Sequence, residues 1–196
     1  MSQDIYTIGH SNHLVGDFIA LLKCHSIGVV ADVRSHPYSA RFPDYGREKL
    51  RHHLASSGVR YVFMGDQLGA RPEDPACYVA GAVDFGLLRQ NASFREGVSR
   101  LARGRQEHRI CLMCAEKEPG DCHRAILVGQ AAHEAGIQIV HILADGSLEP
   151  HERLLLRIAG GESACIELFG SDDRIALSLA RRAGRIAFRN DEEDGE

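Results

Sequence analysis

The chain has 196 residues, 44% of them hydrophobic, and a net charge of −4. That is enough apolar material for one full core, and it gives no global basic field of the kind that holds nucleic acid by bulk charge. No run approaches the ~18 apolar residues of a membrane span, and the N-terminus MSQDIYTIGH lacks the charged and apolar regions of a signal peptide, so a cytoplasmic protein with reduced thiols is expected despite six cysteines.

Apolar periodicity predicts a first strand at Ile5–Ile8, followed at once by Gly9-His10-Ser11-Asn12. A helix is expected from about Val15 to His25, with Phe18, Ile19, Leu21 and Leu22 on its apolar face. Val29–Val33 reads as a core parallel strand ending in Asp32 and Arg34. The loop from Ser35 to Gly46 carries His36, Arg41, two Pro and two Tyr, and is too polar and Pro-rich for core. A helix over Arg47–Ser56 stopped by Gly58 leads to a third strand, Val59–Met64, and to the polar loop Gly65–Pro72. Residues 72–92 suggest loop and short helix, and Phe94–Arg103 a helix.

The fourth strand, Arg109–Cys114, breaks into the polar loop Ala115–Gly120 and resumes as a helix running to about Ala135, with Asp121 as the expected N-cap. Gln138–Leu143 is a fifth strand, ending at Asp145-Gly146. The expected fold class is α/β, a three-layer, mainly parallel five-stranded sheet flanked by helices, over residues 1–158. Residues 159–196 are expected to add a helical C-terminal extension and an acidic tail, Asp191–Glu196. Two amphipathic segments, about His151–Ala159 and Asp172–Ala183, cover this end of the chain. The arginines Arg174, Arg181, Arg182, Arg185 and Arg189 read as a solvated face, in preference to a contact for a partner or a nucleic-acid backbone.

Four of the five expected strands end in polar clusters: His10 with Ser11, Asp32 with Arg34, Gln67 to Arg71, and Cys114 to Glu116. The fifth gives His141 and Asp145 less sharply. Right-handed crossovers place such ends on one sheet edge, which predicts a convergent site there.

The segments Thr7-Ile8-Gly9-His10-Ser11, Asp32-Val33-Arg34-Ser35, Leu68-Gly69-Ala70-Arg71-Pro72, Met113-Cys114-Ala115-Glu116 with Cys122-His123-Arg124, and His141-Ile142 with Asp145-Gly146 occur in that order. Together they resemble the bacterial domain-of-unknown-function family 488, over roughly residues 5–155, and the Cys-Ala-Glu and Cys-His-Arg pair is the most specific part. The resemblance implies the α/β fold and this choice of site, and it implies no reaction. Ala70 departs from the glycine more usual in the family, a change that bears on any close backbone approach there.

Cys114 at the strand end is the first candidate for a nucleophile, with His123 as base or charge partner and Glu116 to orient it or act as acid or base. Cys122 could resolve a disulfide or persulfide with Cys114, or bind metal. A zinc set would draw on Cys114, Cys122 and His123 with His10 or Cys111. Against it, adjacent Cys122 and His123 make joint ligation awkward, and the spacing fits no common zinc pattern. Arg34, Arg41, Arg71 and Arg124, with His10, Ser11 and Asp32, are the expected substrate-binding set for an anionic small molecule or nucleic-acid-derived ligand. Strand, cysteine loop and helix also share the layout of rhodanese-like sulfurtransferases, an analogy that ends where Cys122 lies eight residues beyond Cys114. Three readings stay open: a cysteine-dependent transferase or hydrolase, a phosphate or nucleic-acid binding module, and a metal-binding or redox-sensing protein. No motif names a cofactor.

Overall fold

The computed structural model describes residues 4–161 and 171–190; Cys165 and the acidic segment Asp191–Glu196 lie outside them. All five expected strands form: β1 (Ile5–Gly9), β2 (Val29–Asp32), β3 (Arg60–Phe63), β6 (Ile110–Cys114) and β7 (Ile139–Ile142). Between β3 and β6 lie two short strands, β4 (Tyr78–Val79) and β5 (Ala82–Val83), and a further strand, β8 (Leu148–Pro150), follows β7.

The main sheet therefore has six strands rather than five, in the order β3-β2-β6-β1-β7-β8. Its first five are mutually parallel and β8 runs antiparallel on β7. β4 and β5 form a separate hairpin inside the 72–92 segment, turning through Ala80 and Gly81, both at positive φ (48° and 73°).

Every residue of β1, β2 and β6 is buried, as parallel strands covered on both faces must be. Alternation sends Tyr6, Ile8, Val30, Cys111 and Met113 to one face. There they meet Phe18 and Leu22 of α1 (Val15–Cys24) and Leu50 and Leu54 of α2 (Arg47–Ser56). Val29, Ala31, Leu112 and Cys114 go to the other face. They pack with Leu68 of α3 (Gly65–Leu68), Leu88 of α4 (Phe85–Gln90), and Phe94 and Leu101 of α5 (Ala92–Gly104). Ala132 of α6 (Gln130–Glu134) joins them, as do Ile126 to Val128 of the π-helical segment Arg124–Gly129 that precedes α6.

The chain thus leaves β2 toward α2 on one face and leaves β6 toward α6 on the other. The loops after these two neighbouring strands diverge and open a crevice at the carboxyl edge, where open α/β sheets bind ligands. Beyond the sheet come α7 (His151–Ile158) and α8 (Ser171–Ile186). Leu179, Ala183, Ile186 and Phe188 of this extension pack against the second core face, and the Val83 N–H donates to Phe188 O at 2.9 Å. No described helix is long and apolar enough to cross a membrane.

Candidate functional site

β6 ends at Cys114, and Pro119 then opens a short 3-10 turn, Pro119–Asp121, whose Gly120 N–H donates to the Glu118 carboxylate at 3.2 Å. That turn consumes Asp121, so the expected N-cap moves one residue on. Cys122 is extended (φ −136°, ψ 138°), and its carbonyl accepts from the N–H groups of Ala125 and Ile126 at 3.1 and 3.0 Å. Its Sγ accepts from the Arg124 N–H at 3.4 Å, so a sulfur stands where a cap oxygen usually does. Asp121 instead pairs with Arg182 and Arg185 of α8, which takes these two arginines out of the purely solvated face expected for them.

The loop after Cys114 is pinned to β1. The N–H of His10 donates to Cys114 O at 2.9 Å, and that of Ser11 to Ala115 O at 2.8 Å, with Ser11 at φ 47°. A side chain at Gly9 would place its Cβ 1.8 Å from Glu116 O, so only glycine lets the loop lie this close. Arg124, fully buried, donates to Glu116 O at 2.6 Å and Lys117 O at 3.1 Å.

This pinning gathers four donors. Ligand-type atoms of Cys114, Glu116, Cys122 and His123 all lie within 4.8 Å of one another. Cys114 Sγ is 3.6 Å from His123 Nδ1, and Cys122 Sγ is 2.9 Å from Glu116 Oε2, close enough to share one proton. The far nitrogen of His123, Nε2, donates to Val33 O at 2.9 Å, which fixes the ring.

The two thiols are driven apart. Burial raises Cys114 well above the ordinary thiol range, and the neighbouring Cys122 and Glu116 add to the shift. Burial opposes ionisation of Cys122 too, but hydrogen bonding from Cys114, the Arg124 charge and His123 outweigh it and lower its pKa. Burial also opposes protonation of His123, yet the Cys122 hydrogen bond raises it, and burial raises the Glu116 carboxyl. The pair favours a Cys122 thiolate beside a protonated Glu116.

The cluster forms one wall of a cleft of about 370 Å³, shared with Arg34, Ser35, His36, Tyr38, Arg71 and two residues of the C-terminal extension, Ile186 and Phe188. A second cleft, about 610 Å³, shares Arg34, Tyr38 and Glu116 and adds His10, Ser11, Arg41 and Lys117. Arg71 and Arg41 are exposed, lying over the rings of Phe188 (4.3 Å) and Phe42 (5.4 Å).

The rest of the expected binding set divides. Arg34 lines both clefts, but its charge is spent on Asp32 in a buried bidentate pair (2.9 and 2.6 Å), and Tyr61 OH donates to the same carboxylate at 2.7 Å. Asp32 is fully buried and Arg124 holds the loop, so neither faces the clefts. His10 stacks on Tyr45 (4.1 Å) and bonds Ser11 O through Nδ1, and burial lowers its pKa to about 4.

Sequence reasoning did not single out Tyr38, Ile186 or Phe188 as site residues. The Pro-rich, two-tyrosine loop was the signal for the first; an apolar helix end gives none for the others. The Ala70 substitution is accommodated, because the close approach falls on Gly69, whose Cβ would lie 2.3 Å from Gly65 O and Ser35 Oγ.

A family model described as "Domain of unknown function DUF488" matches residues 15–131. No curated protein matches the chain, and no solved structure does.

Proposed function

The chain belongs to this family of domains of unknown function, and from the geometry of the site we propose that it is a cysteine-dependent enzyme, a transferase or hydrolase, acting on an anionic ligand. The observation that carries the reading is the setting of Cys122: its Sγ accepts a backbone N–H at a helix start and sits 2.9 Å from Glu116 on a cleft wall that also bears Arg71. The weight therefore shifts from Cys114 to Cys122 as nucleophile. Cys114, no more buried than Cys122, acts as the hydrogen-bond partner that keeps its neighbour ionised, and His123 as the balancing charge.

In this scheme Cys122 Sγ attacks an electrophilic atom of the ligand. The bond to the leaving group breaks with its electron pair, and the leaving group takes the proton held by Glu116. Glu116, now a carboxylate, can then activate the water or acceptor that breaks the covalent bond to sulfur. Arg71 and Arg41 supply the anion-binding charge, free of any carboxylate partner among the described residues.

The test is alkylation rate against pH, read by peptide mapping, with exposed Cys24 as the internal comparator. Cys122, faced by Cys114, Glu116, His123 and Arg124, is expected to label with a midpoint below the free-thiol value of about 8.5. A Cys122 that stays inert while Cys24 reacts would sink the nucleophile and leave the clefts as a binding site.

A further inference from the structure

We propose that Cys114, Glu116, Cys122 and His123 form a binding site for a zinc-class divalent ion. Tetrahedral bonds of about 2.3 Å to sulfur and about 2.05 Å to nitrogen put a sulfur and a nitrogen about 3.6 Å apart; the Cys114 Sγ to His123 Nδ1 separation is 3.6 Å. The Cys122–Glu116 contact, 2.9 Å, is shorter than the ~3.6 Å a shared ion requires and must open. Glu116 is the most open residue of the set, with only its carboxyl turned in against Cys122, so a side-chain rotation opens the contact. His123 already has the supporting contact that metal-bound histidines use, with Nε2 donating to Val33 O and Nδ1 left for the cluster.

The adjacency of Cys122 and His123, awkward on a regular helix, is resolved by the backbone. Cys122 is extended and His123 is helical (φ −59°, ψ −25°), and this break brings both donor atoms into one group. Two sulfurs and an imidazole select a zinc-class ion over magnesium or calcium, which take oxygen shells. Cys111 faces the opposite side of the sheet, and His10 is committed to Tyr45 and Ser11, so neither other candidate ligand joins.

The metal site stands independently of the thiol reaction. One consequence rests on that reading: the ion and nucleophilic attack need the same sulfur, so occupancy silences the enzyme and metal release activates it.

The experiment uses the full chain, stripped by chelator. It is titrated with zinc against a chromophoric competitor and, separately, with cobalt(II). One equivalent is expected to bind, with thiolate-to-cobalt charge-transfer bands and tetrahedral visible bands, and zinc is expected to abolish Cys122 alkylation while leaving Cys24 unchanged. His123→Ala and Cys114→Ser, each checked for fold by circular dichroism, are expected to weaken zinc at least about 100-fold. The wild-type cobalt spectrum decides the matter even if a variant fails to fold. Absent charge-transfer bands, or zinc binding that leaves Cys122 unprotected, overturn the site. Fast metal-free labelling of Cys122 without metal binding would remove this inference alone. Metal binding with an inert stripped Cys122 would remove the thiol reaction and keep the site.

Discussion

Arg124 and Arg71 bring the same charge to the same sheet edge and use it differently. Arg124 is fully buried, and two of its nitrogens satisfy the carbonyls of Glu116 and Lys117. Replacing it with Met removes the partner of both part-buried carbonyls, at up to about 1–3 kcal/mol each. Arg71 is exposed over Phe188, so Arg71→Met should change stability by less than about 0.5 kcal/mol. Its loss should instead fall on ligand binding, where a charge-assisted contact is worth at least about tenfold. Urea midpoints, set beside the protection of Cys122 by inorganic phosphate, measure the two effects. Arg124→Met is expected to move the midpoint, and Arg71→Met to move only the protection. The opposite pattern would mean that the buried arginine is the anion site. Position marked both residues in the sequence, Arg71 in the loop after a strand and Arg124 at the start of a helix. Which one turns inward was not legible, because the inward turn depends on the loop carbonyls that Gly9 allows to approach.

At the scale of elements, the C-terminal extension closes one side of the site. Phe188 is half-buried against the core, lines the cleft that bears the Cys114–His123 cluster and lies under the Arg71 guanidinium. Phe188→Ala is expected to cost about 1–3 kcal/mol of stability, below the full aromatic value because the ring is only partly buried. It should also weaken phosphate protection of Cys122 by freeing Arg71. A loss of stability with unchanged protection would show that the wall is structural only. The five parallel strands were readable as short apolar runs, and the cluster was readable as reactive residues at a strand end and a helix start. β8 was not, since Leu148–Pro150 is three residues with a polar centre and a terminal proline on a sheet edge. The β4–β5 hairpin has two-residue strands, too short for any period to register. The cap on Cys122 was hidden by Asp121, a better cap by type that Pro119 had already drawn into a turn.

At the scale of the whole molecule, buried histidines tie stability to pH. Thr7 Oγ1 lies 2.8 Å from His141 Nδ1, His141 Nε2 lies 3.0 Å from His151 Nδ1, and His151 Nε2 lies 2.9 Å from Gln130 Oε1. The Gln130 amide donates to Glu134 at 2.8 Å, which leaves its oxygen as the acceptor. Each ring then donates once and accepts once, an arrangement only neutral imidazoles can make. This chain crosses from β1 through β7 to α7 and α6, so one added proton breaks contacts among four elements. Burial, with neighbouring His133, lowers His151 to about 4 against the opposing pull of Glu134, and burial together with His151 lowers His141 well below its ordinary value. Arg124 and Arg157 push His141 in the same direction. His10, on the other side of the sheet, is also lowered to about 4, by burial and by Arg34. Folded values below the unfolded ~6.5 mean that the unfolded chain binds more protons between about 6.5 and 4. Stability is therefore complete above the unfolded value and falls as pH drops through that window, by up to about 3 kcal/mol for a histidine shifted as far as His151. The urea midpoint should drop steeply between pH 7 and 4.5. Replacing His151 with Gln should make the fall shallower even though the variant starts less stable. A midpoint flat across this range in the wild-type chain would mean that the histidines are protonated in the folded state and that the chain of neutral rings is wrong.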